Sequence, residues 1–252
     1  MLRARTFGTR LWHVALTLLY PPRCAGCDAP LDGAHPCFCR VCALTLVPIA
    51  RACPRCARPL ATGAERPAPC LACLVRPPRF AAALAPFEYG GAVAQAIKRL
   101  KWGQDPQLAT GLGALLAEEL ARAPPPFLAP DLIVPVPLHP RRLRAREFNQ
   151  AAALAFALER SARARLPALR IAPRLLARLR DTPPQTGLGA AERRRNVHGA
   201  FAVRRAARLR DRCVLLVDDV MTTGATADAC ASALLAAGAA SVVVLTLGRA
   251  MT

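Results

Sequence analysis

The sequence predicts an α/β fold: a parallel sheet with helices on both faces, preceded by a small cysteine-rich module. Three observations carry this reading. From about residue 84 onward, uninterrupted apolar runs such as Asp131 to Val136 (DLIVPV), Val214 to Val217 and Ser241 to Leu247 (SVVVLTL) alternate with Ala-rich helical stretches. Apolar strands without an in–out alternation belong to sheets covered on both sides. Of the 11 cysteines, all but Cys213 and Cys230 lie before residue 74. Finally, the run Val214–Thr226 (VLLVDDVMTTGAT) reads as a strand, an acidic pair and a small polar loop that opens a helix.

The 252 residues suffice for one large domain or two smaller ones with a real core, and a hydrophobic content of 54% excludes global disorder. The formal net charge of +19 comes almost entirely from arginine. A balance of this kind suits phosphate-rich partners such as nucleic acid or nucleotides. Ala, Arg and Pro are enriched together along the whole chain, so a compositional bias accounts for it equally well.

Residues 1–20 carry Arg3, Arg5 and Arg10 and then an apolar run from Leu11 to Leu19. The run is far shorter than the roughly 20 residues of a membrane span, and Pro21-Pro22 rather than a small-residue cleavage site follows it. The reading is a short amphipathic helix docked on the body of the protein, with membrane-surface contact as the alternative. No stretch reads as a transmembrane segment, so a cytoplasmic location is expected.

Residues 21–76 form the next unit. They hold four Cys-x-x-Cys pairs: Cys24/Cys27, Cys39/Cys42, Cys53/Cys56 and Cys70/Cys73. Each pair suits a tight knuckle that turns two thiolates toward one ion, and two knuckles complete a closed, structural tetrahedral zinc site. Sequential pairing gives two zinc sites, with an interleaved arrangement as the alternative; redox-active dithiols are the rival reading. His35 and Cys37 are spare. The segment has too little apolar periodicity to fold alone, so metal would supply its folding energy.

Leu74 to Ala83 read as a linker, and a second domain spans 84–252. Ala85 to Tyr89 is an entering strand, Val93 to Trp102 a helix carrying Lys98, Arg99 and Lys101, and Gln107 to Leu120 a second helix ended by Pro124-Pro125-Pro126. The lysines read as a solvated face or as groups near a bound pyrophosphate. Gly111 and Gly113 are a fragment of a glycine-rich motif and read as helix packing. After the strand at 131–136, Pro137-Leu138-His139-Pro140 and Arg141, Arg142, Arg144 and Arg146 precede a helix begun near Asn149, which makes a second candidate anion site or a plain basic loop. A strand is expected around Ile171 to Leu176, then a long polar loop, a basic stretch from Glu192 to His198, and a short strand at Ala200 to Val203.

The loop after Val217 has the most chemistry. A small polar loop that opens a helix aims backbone N–H groups and hydroxyls into one volume, where the helix dipole favours phosphate. Asp218 and Asp219 cannot share that phosphate; they accept from sugar hydroxyls or, through water, hold magnesium. Together these describe a site for a phosphorylated ribose. A Walker B strand also ends in acids, but its partner G-x-x-x-x-G-K-[ST] loop is absent from the chain. Ordinary helix capping is the bland alternative.

This stretch resembles the phosphoribosyl-pyrophosphate (PRPP) signature of type I phosphoribosyltransferases. The resemblance widens to the ComF family, a double zinc ribbon followed by a type I phosphoribosyltransferase-like domain. It rests on Pro21-Pro22-Arg23-Cys24-x-x-Cys27, the later Cys pairs, Leu100-Lys101-Trp102 and Val134-Pro135-Val136-Pro137, together with Arg146-x-Phe148-Asn149-Gln150 and Glu192-Arg193-x-x-Asn196-Val197-x-Gly199-Ala200-Phe201. It implies that Asp218, Asp219, Val220, Thr222, Thr223, Gly224, Ala225 and Thr226 bind PRPP. It also implies that magnesium accompanies the pyrophosphate near Val136, Pro137, Arg144 and Arg146, and that 178–198 is a lid. The family has Gly where this chain has Glu147, a position that would serve a special backbone angle. Two functions follow from the resemblance. One is a PRPP-binding protein linked to DNA uptake, with single-stranded DNA or a competence-machinery protein as partner. The other is an active phosphoribosyltransferase with an unknown acceptor.

Overall fold

The computed structural model describes residues 21–33, 35–60, 68–102, 106–127, 130–182 and 189–251. The helix expected over 1–20 lies outside them, as does the stretch 183–188 of the expected lid. The strands in chain order are β1 (Ala82–Leu84), β2 (Phe87–Glu88), β3 (Leu132–Pro135), β4 (Arg170–Ile171), β5 (Leu176–Arg178), β6 (Phe201–Val203), β7 (Cys213–Met221) and β8 (Ser241–Arg249). The helices are α1 (Arg40–Ala43), α2 (Leu71–Val75), α3 (Gly91–Trp102), α4 (Pro106–Arg122), α5 (Pro140–Arg146), α6 (Gln150–Ala162), α7 (Ala190–Val197) and α8 (Ala225–Ala236).

The main sheet runs β1-β8-β7-β3-β4, with β2 continuing along β8, and each of its pairings is parallel. β7 and β8 are its centre, and their side chains alternate between two apolar layers. Leu215, Val217, Val243 and Leu245 face a core shared with Val93, Ile97, Leu112, Leu116, Leu154 and Leu158 of α3, α4 and α6. Val214, Leu216, Val242 and Val244 face a second core with Cys230, Ala231 and Leu234 of α8. This is the arrangement expected from strands apolar on both faces. α4 and α6 approach closely at Gly113, where an added Cβ would lie 2.3 Å from that of Ala157. That glycine is therefore a packing residue, as read from the sequence.

The structure differs from the expected elements where proline intervenes. Proline cannot donate to a sheet ladder, so Pro86 splits the entering strand into β1 and β2, and its carbonyl instead accepts from Ile49 N at 2.9 Å. Pro173 splits the strand expected at 171–176: β4 ends at Ile171, and β5 leaves the main sheet to pair antiparallel with β6. The expected linker is shorter as well, since α2 takes its first residues and β1 its last.

The cysteine module is not set apart from the α/β body. Cys24, Ala25, Cys37, Phe38 and Cys39 belong to the α3/α4 core, while Ala57 belongs to the α8 core. Between the two Cys units, Val47 and Ile49 pair with the β2 edge. No described helix is long and apolar enough to cross a membrane.

Candidate functional site

β7 outruns its neighbour β3. Pairing with β3 ends near Val217, while pairing with β8 continues to Met221, opposite Arg249. The sequence reading ended the strand before the acids; they lie within it, on the segment that projects past β3. Gly224 then takes φ +80° and caps the N-terminus of α8, a left-handed angle that glycine adopts without cost. Thr223 Oγ1 accepts from Ala225 N at 3.3 Å and tightens the turn. From β3, the chain passes Val136 and Pro137 to α5, and Asn149 locks that turn. Its Nδ2 donates to Val136 O at 3.0 Å while its Oδ1 caps α6 at Ala151 N and Ala152 N.

The two turns enclose a cavity of about 450 Å³ at the carboxyl end of the sheet, where open α/β sheets hold ligands. Asp218, Asp219, Val220, Thr222, Gly224, Ala225, Thr226, Val136, Pro137 and Arg146 line it; Thr223 and Arg144 do not. Arg144 is exposed on α5. Its place in the cavity is taken by Arg142, by Lys101, which the sequence offered as a solvated face or a pyrophosphate neighbour, and by two residues not read as ligands, Arg178 and Arg193.

The electrostatics set several cationic side chains against an acidic pair. Asp218 reaches the cavity but is otherwise enclosed. That burial, and then the Asp219 carboxylate beside it, raise its pKa well above the usual carboxylate value. Asp219 is 4% exposed, and Lys101 Nζ lies 2.6 Å from its Oδ2, an ion-pair distance without the angle of a hydrogen bond. Arg146 lies over the Trp102 ring at 4.9 Å. Arg178, 8% exposed, donates to Thr182 Oγ1 and leaves its buried Nε without a partner. Burial, and then the neighbouring Arg142, lower the pKa of Arg178, and a bound anion would relieve that cost. Glu147 takes φ +65° at the end of α5, so this chain holds with a glutamate the left-handed angle that a glycine would serve.

The cysteines form two clusters, Cys24/Cys27/Cys39/Cys42 and Cys53/Cys56/Cys70/Cys73, in each of which the Sγ atoms lie within 4.8 Å of one another. This is the sequential pairing. The Sγ separations Cys27–Cys39 and Cys56–Cys70 are both 3.7 Å, the edge of a tetrahedron with Zn–S bonds of about 2.3 Å. Burial disfavours the Cys24 thiolate, yet the amides of Cys39, Cys27 and Gly26 bring its pKa down to about 6. Cys53 behaves alike, at about 7, through the amides of Cys70, Cys56 and Arg55. Four converging sulfurs with amides aimed at them fit structural zinc in both clusters. Among the described residues His35 and Cys37 belong to neither: His35 Nδ1 accepts from Cys37 N, and Cys37 packs against Gly111.

Comparison with known proteins agrees. Residues 15–74 match the family model of the double zinc ribbon domain. The chain is 34% identical over 236 residues to the DNA utilization protein YhgH of Escherichia coli O6:H1, covering 93% of this chain and 100% of that one. It is 36% identical to competence protein F of Haemophilus influenzae over 122 residues, 48% of this chain and 51% of that one. Among solved structures, the glutamine phosphoribosylpyrophosphate amidotransferase from B. subtilis, complexed with ADP and GMP, overlays with a TM-score of 0.39 and 16% identity over 60% of this chain and 30% of that one. With a full-length relative of this identity, and with two Cys₄ clusters ahead of a parallel α/β sheet, the chain belongs to the ComF family.

Proposed function

We propose that this protein binds PRPP or a closely related phosphoribosyl ligand at the end of β7, and that this binding serves the handling of DNA during uptake. The 5-phosphate sits on the Thr222–Thr226 turn at the N-terminus of α8, and the ribose hydroxyls donate to Asp218 and Asp219. The pyrophosphate, with magnesium, lies beside Val136 and Pro137 under Arg142, Arg146 and Arg178. The observation that carries the reading is the pairing of opposite demands in one cavity: an acidic pair that accepts hydroxyls, and a buried guanidinium with an unpartnered Nε that needs an anion. A ligand bearing both hydroxyls and phosphates answers both. The link to DNA rests on the relatives named for DNA utilization and competence. A second cleft, of about 630 Å³ and lined by Arg76, Arg79, Arg194 and Arg195, is a surface on which a single strand or a protein of the competence machinery would dock.

Calorimetry with PRPP and Mg²⁺ tests the site. Binding to the wild type, with a loss of at least about tenfold in Asp218→Asn/Asp219→Asn, is expected from two lost charged hydrogen-bond acceptors; equal binding by both proteins removes the assignment. Binding of single-stranded DNA should weaken with salt, by about 0.7 in log affinity per phosphate contact per log unit of salt, and no binding at low salt ends the direct-DNA reading. The second reading is transfer to an acceptor. It is favoured by the guanidiniums of Arg142, Arg146 and Arg178 at the end where pyrophosphate would leave, since fixed positive charge there stabilises a departing group. Release of pyrophosphate from PRPP on adding a nucleobase or amine panel decides it.

A further inference from the structure

The structure assigns Arg249, the last residue of β8, as a positioning residue for the phosphate turn, tying that turn to the second cysteine cluster. Its side chain is among the largest fully buried in the protein, at 2% exposure. It stands opposite Met221 in the β7–β8 register, at the point where β7 gives way to the turn. Nε donates to Cys56 O at 2.9 Å, inside the second cluster's first knuckle. Nη1 donates to Met221 O at 3.2 Å, to Thr222 O and to Ala250 O. One guanidinium thus gathers two successive carbonyls of the turn and one of the cysteine knuckle.

The consequence for the turn is geometric. Across a planar trans peptide, C=O and the following N–H point in opposite directions. Holding the Met221 and Thr222 carbonyls on Arg249 therefore turns the N–H groups of Thr222 and Thr223 away from it. Met221 O also accepts from Ala250 N at 2.9 Å and keeps that partner without Arg249; Thr222 O is held by Arg249, so loss of the guanidinium frees chiefly the Thr222–Thr223 peptide. Neighbouring contacts press the same knuckle against the turn. Phe80 Cζ lies 3.9 Å from where a Cβ on Gly224 would be, Ala57 shares a core with Phe80 and Met221, and Arg55 Nη2 donates to Pro78 O at 3.0 Å.

Charge makes the tie depend on the cluster. The hydrogen-bond partners of Arg249 are carbonyls, and no carboxylate pairs with it among the described residues. A buried cation needs a counter-charge. Four thiolates around a divalent ion carry net negative charge and would supply it beside Cys56, whose carbonyl Arg249 holds. The second cluster is thus part of the phosphate turn's support. Among the described residues the first cluster has no such bond to the turn: its anchor is Arg99 of α3, which donates to Cys24 O at 2.6 Å and Ala25 O at 3.2 Å.

The test uses the full-length, zinc-loaded protein with Arg249→Met, Arg249→Lys, Cys53→Ser and Cys24→Ser. Zinc content is counted, hydrogen exchange is followed on peptides covering 219–226 and 214–217, and ribose 5-phosphate is titrated. We expect Arg249→Met to keep its zinc and to raise exchange at 222–226 by roughly tenfold or more, while 214–217 stays protected. Arg249→Lys keeps the charge and folds even where Met does not; it restores global stability but only part of the turn's protection. Cys53→Ser loosens 222–226, and Cys24→Ser does not. Unchanged exchange in a zinc-retaining Arg249 variant overturns the inference, as does an equal rise at 214–217 and 222–226, which would reveal only global destabilisation. The consequence for ligand rests on the phosphoribosyl reading. If the wild type ignores ribose 5-phosphate while Arg249→Met still loosens the turn, that reading fails and the positioning role stands. If the wild type binds it, Arg249→Met should bind roughly tenfold more weakly.

Discussion

The two cysteine units are near copies of one another with different neighbours. In each, the first knuckle ends in a residue with positive φ, Asp28 at 69° and Ala57 at 55°. In each, the first cysteine amide donates across the turn, Cys24 N to Ala29 O and Cys53 N to Arg58 O. In each, the second knuckle opens a one-turn helix, α1 or α2, capped by Cys39 or Cys70. Yet Asp28 faces solvent and ion-pairs with Arg23 and Arg99, whereas Ala57 is 1% exposed in the core beneath the 222–226 turn. The same local structure thus serves as a clamp on the helical layer in one place and as a wall of the candidate site in the other. What a Cys₄ unit does for the protein is set by what its outer surface touches.

Metal removal is the broadest way to break this comparison. Structural zinc contributes on the order of 10 kcal/mol or more to small Cys₄ units. Elemental analysis should return about two zinc ions per chain, and a strong chelator should abolish the cooperative thermal transition. A single ion per chain would mean that only one of the two units is a metal centre.

Changes at the acidic pair should touch the second unit's side of the molecule alone. Asp218→Asn carries a further, opposite expectation for stability. The folded-state pKa of Asp218 is raised, so between the ordinary value of 3.8 and that raised value the folded chain holds more protons than the unfolded one. Stability then falls as pH rises through this window. Asparagine has no such loss. The variant should melt higher than the wild type at neutral pH, with the difference vanishing at acid pH, while binding PRPP less well. A melting difference independent of pH would show that Asp218 is not held in this way.

The anchor of the first unit offers the matched control. Arg99→Ala removes two carbonyl bonds and a partly exposed ion pair with Asp28, and should cost about 1–2 kcal/mol in urea unfolding. It should leave exchange at 222–226 and PRPP affinity unchanged. An Arg99 variant that weakens PRPP binding would show that both units support the site, and the contrast would collapse.

These contrasts show what can be read from sequence. The eight clustered cysteines and the run from Asp218 to Thr226 are legible because the chemistry lies within a few consecutive residues, so spacing alone implies geometry. Arg249, Arg178 and Lys101 reach the same region from other strands and helices. Arg249 arrives through the β7–β8 register and Arg178 because Pro173 diverts β5 out of the sheet. Lys101 arrives because α3 ends beside Asp219. Nothing local distinguishes Arg249 and Arg178 from the other basic residues of a strongly basic chain, and for Lys101 a solvated helix face reads equally well from the sequence. At Pro86 and Pro173 the strands end short of the apolar pattern, because one residue's lack of an N–H outweighs the residues around it. Of the run Arg141, Arg142, Arg144 and Arg146, Arg144 is expected at the pyrophosphate but Arg142 lines the cavity, because helical phase, invisible in a run of arginines, decides which of them turns inward.

The smallest expected effect is at the left-handed residue shared by the two units. A non-glycine residue in this conformation costs roughly 1–2 kcal/mol, so Ala57→Gly relieves strain. Against that, glycine gives the unfolded chain about 0.5–1 kcal/mol of extra freedom, and a buried methyl worth about 0.8 kcal/mol is lost. The sum is near zero, and Ala57→Gly should shift the urea midpoint little. At Asp28 the strain relief is smaller, since aspartate tolerates this angle, and the variant also loses the partner of Arg99 and Arg23. Asp28→Gly should therefore be the less stable of the two, by up to about 1 kcal/mol. The reverse order would mean that the methyl of Ala57, buried in the core it shares with Phe80 and Met221, holds the second unit to the 222–226 turn more firmly than its area suggests.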